Sequence, residues 1–89
     1  MDALTRFAKN LLAVRKARGH TQASLSDACG LHFTEISRLE RGVREPRLST
    51  LVKLADALEV PLEVLVAGIG SADGPPLSAG IETPNGPGP

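Results

Sequence analysis

Tryptophan and tyrosine are absent from this chain, and Phe7 and Phe33 are its only aromatic residues. A core for 89 residues must therefore come from Leu, Val, Ile and Ala, which suits a small helical bundle. Cys29 is the single cysteine, so no intrachain disulfide can form and nothing calls for an oxidising compartment. Its ordinary role is a small buried apolar residue, with a redox sensor as the sharper alternative. Cys29, His20 and His32 lack the spacing of a metal set, so no metal is expected. No nucleophile–base pair or phosphate loop stands out either, which argues against an enzyme and against a cofactor. Long apolar runs are missing, and the N-terminus has no apolar centre of the signal-peptide kind. A cytoplasmic chain with no membrane partner is the expectation.

Net charge is also absent, with ten basic residues against ten acidic ones, but the balance fails locally. Residues 15–47 hold seven bases and four acids, an excess of three positive charges; residues 48–67 hold one base and three acids, an excess of two negative ones. The basic half is the half suited to a polyanion, and its modest excess implies weak binding by a single copy.

Apolar spacing and punctuation then divide the chain. Leu4, Phe7, Ala8, Leu11 and Val14 recur at helical intervals, predicting a first helix over Asp2–Arg18 that Gly19 ends. Thr21 caps a second helix with Leu25, Ala28 and Cys29 inward, and Gly30 closes it. His20, between these helices, reads as a linker tucked against the core, with a titrating switch as the alternative. A third helix starts at His32 or Phe33, turns Ile36 and Leu39 inward, and stops at Gly42. Pro46 marks a loop over residues 43–47. A fourth helix follows over Leu48–Leu58, with Leu51, Leu54, Ala55 and Leu58 inward and Arg47 or Ser49 near its cap, and Pro61 opens a short fifth over Leu62–Val66. From Gly68 onward lie six of the nine glycines and five of the seven prolines. The expectation is a domain over residues 1–67 and a disordered Gly/Pro-rich tail over residues 68–89.

Two short helices joined by a glycine turn at Thr21–Gly42 are the outline of a DNA-reading helix-turn-helix. The Thr21-Gln22 start, Leu25, Gly30-Leu31, the run from Ile36 to Gly42, and then Pro46, Leu48, Leu51, Leu54-Ala55, Leu58 and Val60 resemble the lambda-repressor-like, Cro-type family of bacterial and phage regulators over roughly Leu4 to Val66. Three positions depart from that pattern: His20 stands where the family usually has a large apolar residue, Ser26 where it favours alanine, and Phe33 where a polar base reader is common. The resemblance implies an all-α, compact five-helix lambda-repressor-like DNA-binding domain. It also implies an ion pair between Arg15 and Glu40, tying the first helix to the end of the third.

On such a domain the third helix enters the major groove of double-stranded DNA, and Phe33, Thr34, Glu35 and Arg38 are the candidate base readers. Thr34 suits a base edge or a thymine methyl, Glu35 a cytosine amino group, and Arg38 a guanine. Rival roles stand beside these: Glu35 folding back to cap its own helix, Phe33 packing against the Gln22 end of the second helix, Arg38 stopping at a phosphate. Thr21, Gln22, Ser37, Arg41, Arg44 and Arg47 are the candidate phosphate contacts, with Arg47 best placed for a minor groove. Specificity from so few base pairs needs a homodimer on a palindromic operator, and the apolar excess at Leu62, Val64, Leu65, Val66 and Ile69 is the candidate interface, with core closure claiming part of that set.

A small homodimeric transcriptional regulator, a repressor in the cytoplasm and on the nucleoid, is the function these features imply. Three alternatives stay open: an antitoxin-type regulator whose tail binds a protein partner, the controller of a restriction-modification system, and a protein-interaction module that has lost DNA.

Overall fold

In the computed structural model, residues 1–70 are described. They form five helices and no strand: α1 over Ala3–Ala17, α2 over Gln22–Cys29, α3 over Phe33–Glu40, α4 over Leu48–Leu58 and α5 over Leu62–Leu65. The proposed tail lies, from Ser71 on, outside the described residues.

Each helix begins where the local chemistry supplies an acceptor or a preset backbone. The Asp2 carboxylate accepts from the Thr5 amide at 2.8 Å, satisfying one orphan donor of α1. At α2 a reciprocal box forms: Thr21 Oγ1 accepts from the Ser24 amide and Ser24 Oγ from the Thr21 amide, both at 2.9 Å. Arg47 and Pro61 cap α4 and α5 without a side-chain bond. Pro61 thus sits one position earlier than a first-turn proline, and Val66 falls just past α5.

Helix ends carry one departure from simple expectation. Gly30 closes α2 in the left-handed region at φ 82°, as its lack of a Cβ allows. The end of α4 uses the same conformation at Glu59, φ 59°, a residue with no such freedom. Arg18 braces that end, donating from Nε to the Leu58 carbonyl at 3.0 Å and from Nη2 to the Glu59 carboxylate at 3.2 Å.

Phe7, Leu11, Leu25, Ile36, Leu39, Leu54, Ala55, Leu58 and Leu65 make one buried core to which every helix contributes. At roughly 1.5–3 kcal/mol for each large apolar side chain taken from water, this cluster is the main source of stability. Ala28, expected inward with Cys29, is exposed. Cys29 follows Leu25 by four residues and packs partly against the core, whereas Ala28 follows by three and falls on the other side of the contact line.

A clip not visible in any local pattern fastens the fifth helix. Asn10 of α1 donates both Nδ2 protons, to the carbonyls of Leu65 at 3.0 Å and Ala67 at 2.9 Å. Replacing Asn10 by alanine strands those carbonyls, so urea titration is expected to show a loss of about 1–2 kcal/mol. Unchanged stability would mean that water serves the α5 end equally well.

The Asp2 cap gives a pH signature. Its hydrogen bonds to Thr5 hold its carboxyl below the ordinary 3.8. A group whose folded value is depressed adds stability above its unfolded value and loses it as pH falls through the folded one. Between pH 5 and 2, Asp2 should therefore make the wild type lose slightly more stability than Asp2→Asn, which keeps the cap without the charge. Parallel melting curves for the two proteins over that range would rule the effect out.

Candidate nucleic-acid interface

Helix α3 is positioned from its inner side by Ile36 and Leu39, both fully buried. Around its end, three helices meet at one carboxylate. Glu40 Oε2 accepts from Arg15 Nε at 2.5 Å, and Oε1 accepts from Arg15 Nη2 and from Gln22 Nε2, each at 3.0 Å. Arg15 Nη1 donates to the His20 carbonyl at 2.8 Å. The side chains of Arg15 and Glu40 are only 10% and 5% exposed, and bonding to Glu40 raises the guanidinium pKa above its ordinary value against the opposing effect of burial. The structure thus brings Arg15 and Glu40 together and adds Gln22 to them. Gln22 has one amide proton committed to Glu40, leaving its carbonyl oxygen and second proton for a ligand.

The turn before α3 is also bonded. Ser26 Oγ donates to the Leu31 carbonyl across the bend, a use for the hydroxyl that alanine at this position lacks. His20 is half-buried, with its Nδ1 paired to Ser24 Oγ at 2.9 Å.

Outward from this frame lie the sequence-derived base readers. Phe33, Thr34 and Arg38 are exposed, and Glu35 is half-buried. Phe33 stacks on the His32 ring, centroids 5.1 Å apart and planes 24° apart, and stays about half exposed, outside the core. Glu35 turns toward Arg44, 3.8 Å away, and the cap of α3 is instead the His32 imidazole, whose Nδ1 accepts from the Thr34 amide at 3.2 Å. Nothing in the sequence pattern singled out that imidazole, because histidine is not among the usual capping residues.

Thr21, Arg41, Arg44 and Arg47 are exposed and Ser37 is half-buried. With Glu40 neutralised by Arg15, the α3 surface and following loop present Arg38, Arg41, Arg44 and Arg47 against Glu35 and Glu45. Leu65, by contrast, is fully buried and closes the core, so it has no surface for a partner. Leu62 and Ile69 pack partly against the core, and Val64 and Val66 are half-buried. The most exposed aliphatic side chains of the body lie elsewhere, at Val43, Leu48 and Val52. Among the described residues no cluster of three or more His, Cys, Asp or Glu side chains is arranged for a metal, and no helix is long and apolar enough to cross a membrane.

A buried-face helix, a glycine turn and a second helix with a free cationic face, all closed over one core, define a helix-turn-helix domain. The chain belongs to the HTH_3 helix-turn-helix family, whose model matches residues 11–65; this is a family of DNA-binding transcription regulators, which are not enzymes. Among curated relatives, it is 41% identical over 51 residues to the cryptic phage CTXphi transcriptional repressor RstR of Vibrio cholerae, covering 57% of this chain and 46% of that one. It is 36% identical over 66 residues to the control protein C.SmaI of Serratia marcescens, covering 74% and 79%. Among solved structures, the restriction-modification controller protein C.AhdI of Aeromonas hydrophila superimposes with a TM-score of 0.68 at 34% identity, over 70% of this chain and 94% of that one. The chain spans about half the length of RstR and of YqaE, a Bacillus subtilis regulator.

Proposed function

We propose that this chain binds double-stranded DNA sequence-specifically as a homodimeric transcriptional regulator, a repressor, with α3 in the major groove of a palindromic operator. The observation that carries this reading is the division of α3: Ile36, Leu39 and Glu40 are consumed by the fold, while Thr34 and Arg38 stand exposed beside three further arginines. Arg38 and Thr34 read base edges; Thr21, Gln22, Ser37, Arg41, Arg44 and Arg47 hold phosphates. Two copies meet through the half-buried Leu62, Val64, Val66 and Ile69, setting half-sites about 34 Å apart or a multiple of that.

Selection from a random duplex pool, repeated over a range of salt, tests the reading. A two-fold symmetric motif is the expected outcome, with affinity falling steeply as salt rises. No enrichment even at low salt would remove DNA from the function and leave a protein-interaction role. A restriction-modification controller is the specific second reading, supported by the large share of C.AhdI and C.SmaI that this chain covers. Adjacent restriction and methyltransferase genes would distinguish it.

A further inference from the structure

We propose that His32 presets the hydrogen-bond polarity of Thr34, making its hydroxyl an acceptor toward DNA. The inference rests on the reading of α3 as the base-reading helix, and its starting point is the bonding of one imidazole nitrogen. His32 Nδ1 lies 3.2 Å from the Thr34 amide nitrogen and 2.8 Å from Thr34 Oγ1. A backbone amide only donates, so Nδ1 serves here as the acceptor and the ring proton sits on Nε2. The Thr34 hydroxyl, beside that same acceptor, then donates its proton to Nδ1. What Thr34 Oγ1 keeps for an outside ligand is its own lone pairs.

Two further features hold this arrangement. The imidazole plane is stacked on Phe33, and its capping bond satisfies a donor that α3 cannot serve internally. Rotating the ring away gives up the cap, the stack and the hydroxyl bond together. The consequence for recognition is chemical. A free threonine hydroxyl suits either a donor or an acceptor on a base edge, and so distinguishes little. A threonine whose proton is already spent accepts only. In the major groove the donors are the amino groups of adenine and cytosine, whereas guanine O6 and thymine O4 are acceptors. Thr34 should therefore impose an amino-over-keto preference, A or C over G or T, at the one position it faces. For the same reason it is a poor phosphate ligand, since phosphate oxygens need a donor. His32 is thus a positioning residue that acts on specificity through Thr34.

The test is selection from random duplexes with wild type, Thr34→Val, His32→Ala and His32→Asn, each checked for helix content by circular dichroism. Thr34→Val should lose the preference at one position per half-site and thereby locate it. Wild type should favour amino bases there by about fivefold, the worth of one net hydrogen bond. His32→Ala should bring that ratio near unity with the rest of the motif unchanged, because the hydroxyl regains its rotation. His32→Asn, which restores an acceptor at the cap, should recover it; a merely structural role for His32 predicts no base-specific effect. A keto preference, or a ratio unaltered in His32→Ala, overturns the proposal. If Thr34→Val alters no position, Thr34 touches no base and the proposal falls, while a symmetric motif in the wild type still upholds DNA recognition. Absence of any motif overturns both.

Discussion

Glu40→Ala should cost about 3 kcal/mol of folding stability, and with it a fall in melting temperature on the order of 10–20 °C for a domain of this size. The magnitude follows from what the carboxylate serves. Its two oxygens receive three hydrogen bonds from Arg15 and Gln22, and both charged groups are nearly removed from water. Deleting the anion leaves a guanidinium enclosed without a counter-charge, and that desolvation, rather than the lost attraction, sets the cost. Glu40→Gln should lose less, since it keeps acceptor capacity toward Arg15. The double variant Arg15→Met with Glu40→Leu should be more stable than Glu40→Ala, because apolar residues of similar size need no hydration. Urea titrations of the four proteins decide the matter. A Glu40→Ala loss under about 0.5 kcal/mol would place the pair with ordinary surface charges.

Arg38→Ala should leave stability within about 0.5 kcal/mol of wild type and weaken binding to a selected duplex by about 1–3 kcal/mol per half-site, roughly 5- to 150-fold. Its side chain is exposed and takes no part in the ion pairs of Arg15, Arg18 and Arg44, so folding loses little when it goes. The loss should be concentrated at one base pair, where a guanine contact disappears and the alternatives become equivalent. A phosphate contact behaves differently, weakening all sequences alike and lowering the salt slope by about one unit. Titrations of the selected duplex and its single-base variants at two salt concentrations separate these outcomes. A uniform loss would assign base recognition to other residues of α3.

The helices were legible because their punctuation is local. Thr21, Gly30 and Pro61 each act on the backbone next to them, and the predicted span of α4 is the observed one, whereas Asp2 and Arg18, expected inside the first helix, are its caps. The all-helical fold was legible too, since spacing at three and four residues repeats through the body. Geometry beyond one turn was less so. Asn10 finds its partners 55 and 57 residues away, and no pattern around it announces a clip. Glu59 enters a left-handed conformation that its own side chain does not favour, at a helix end braced by Arg18 from 40 and 41 residues away. At the candidate interface, the exposed positions of Thr34 and Arg38 follow from helical phase, but the links among His32, Phe33 and Thr34 depend on rotamers. Leu65 shows the same limit: composition reveals an apolar excess near the C-terminal helix, and only packing tells which member closes the core.

The Arg15–Glu40–Gln22 junction bears on how such a regulator acquires new targets. It fixes the far end of α3 while Ile36 and Leu39 hold the inner side, so the seat of the helix does not depend on Arg38 or Thr34. Retargeting by exchange of outward residues therefore draws little on the stability reserve, and successive exchanges need no compensating change in the scaffold. Near the N-terminal tip the freedom narrows, since His32, Phe33 and Thr34 are mutually bonded or stacked and are best inherited as a block.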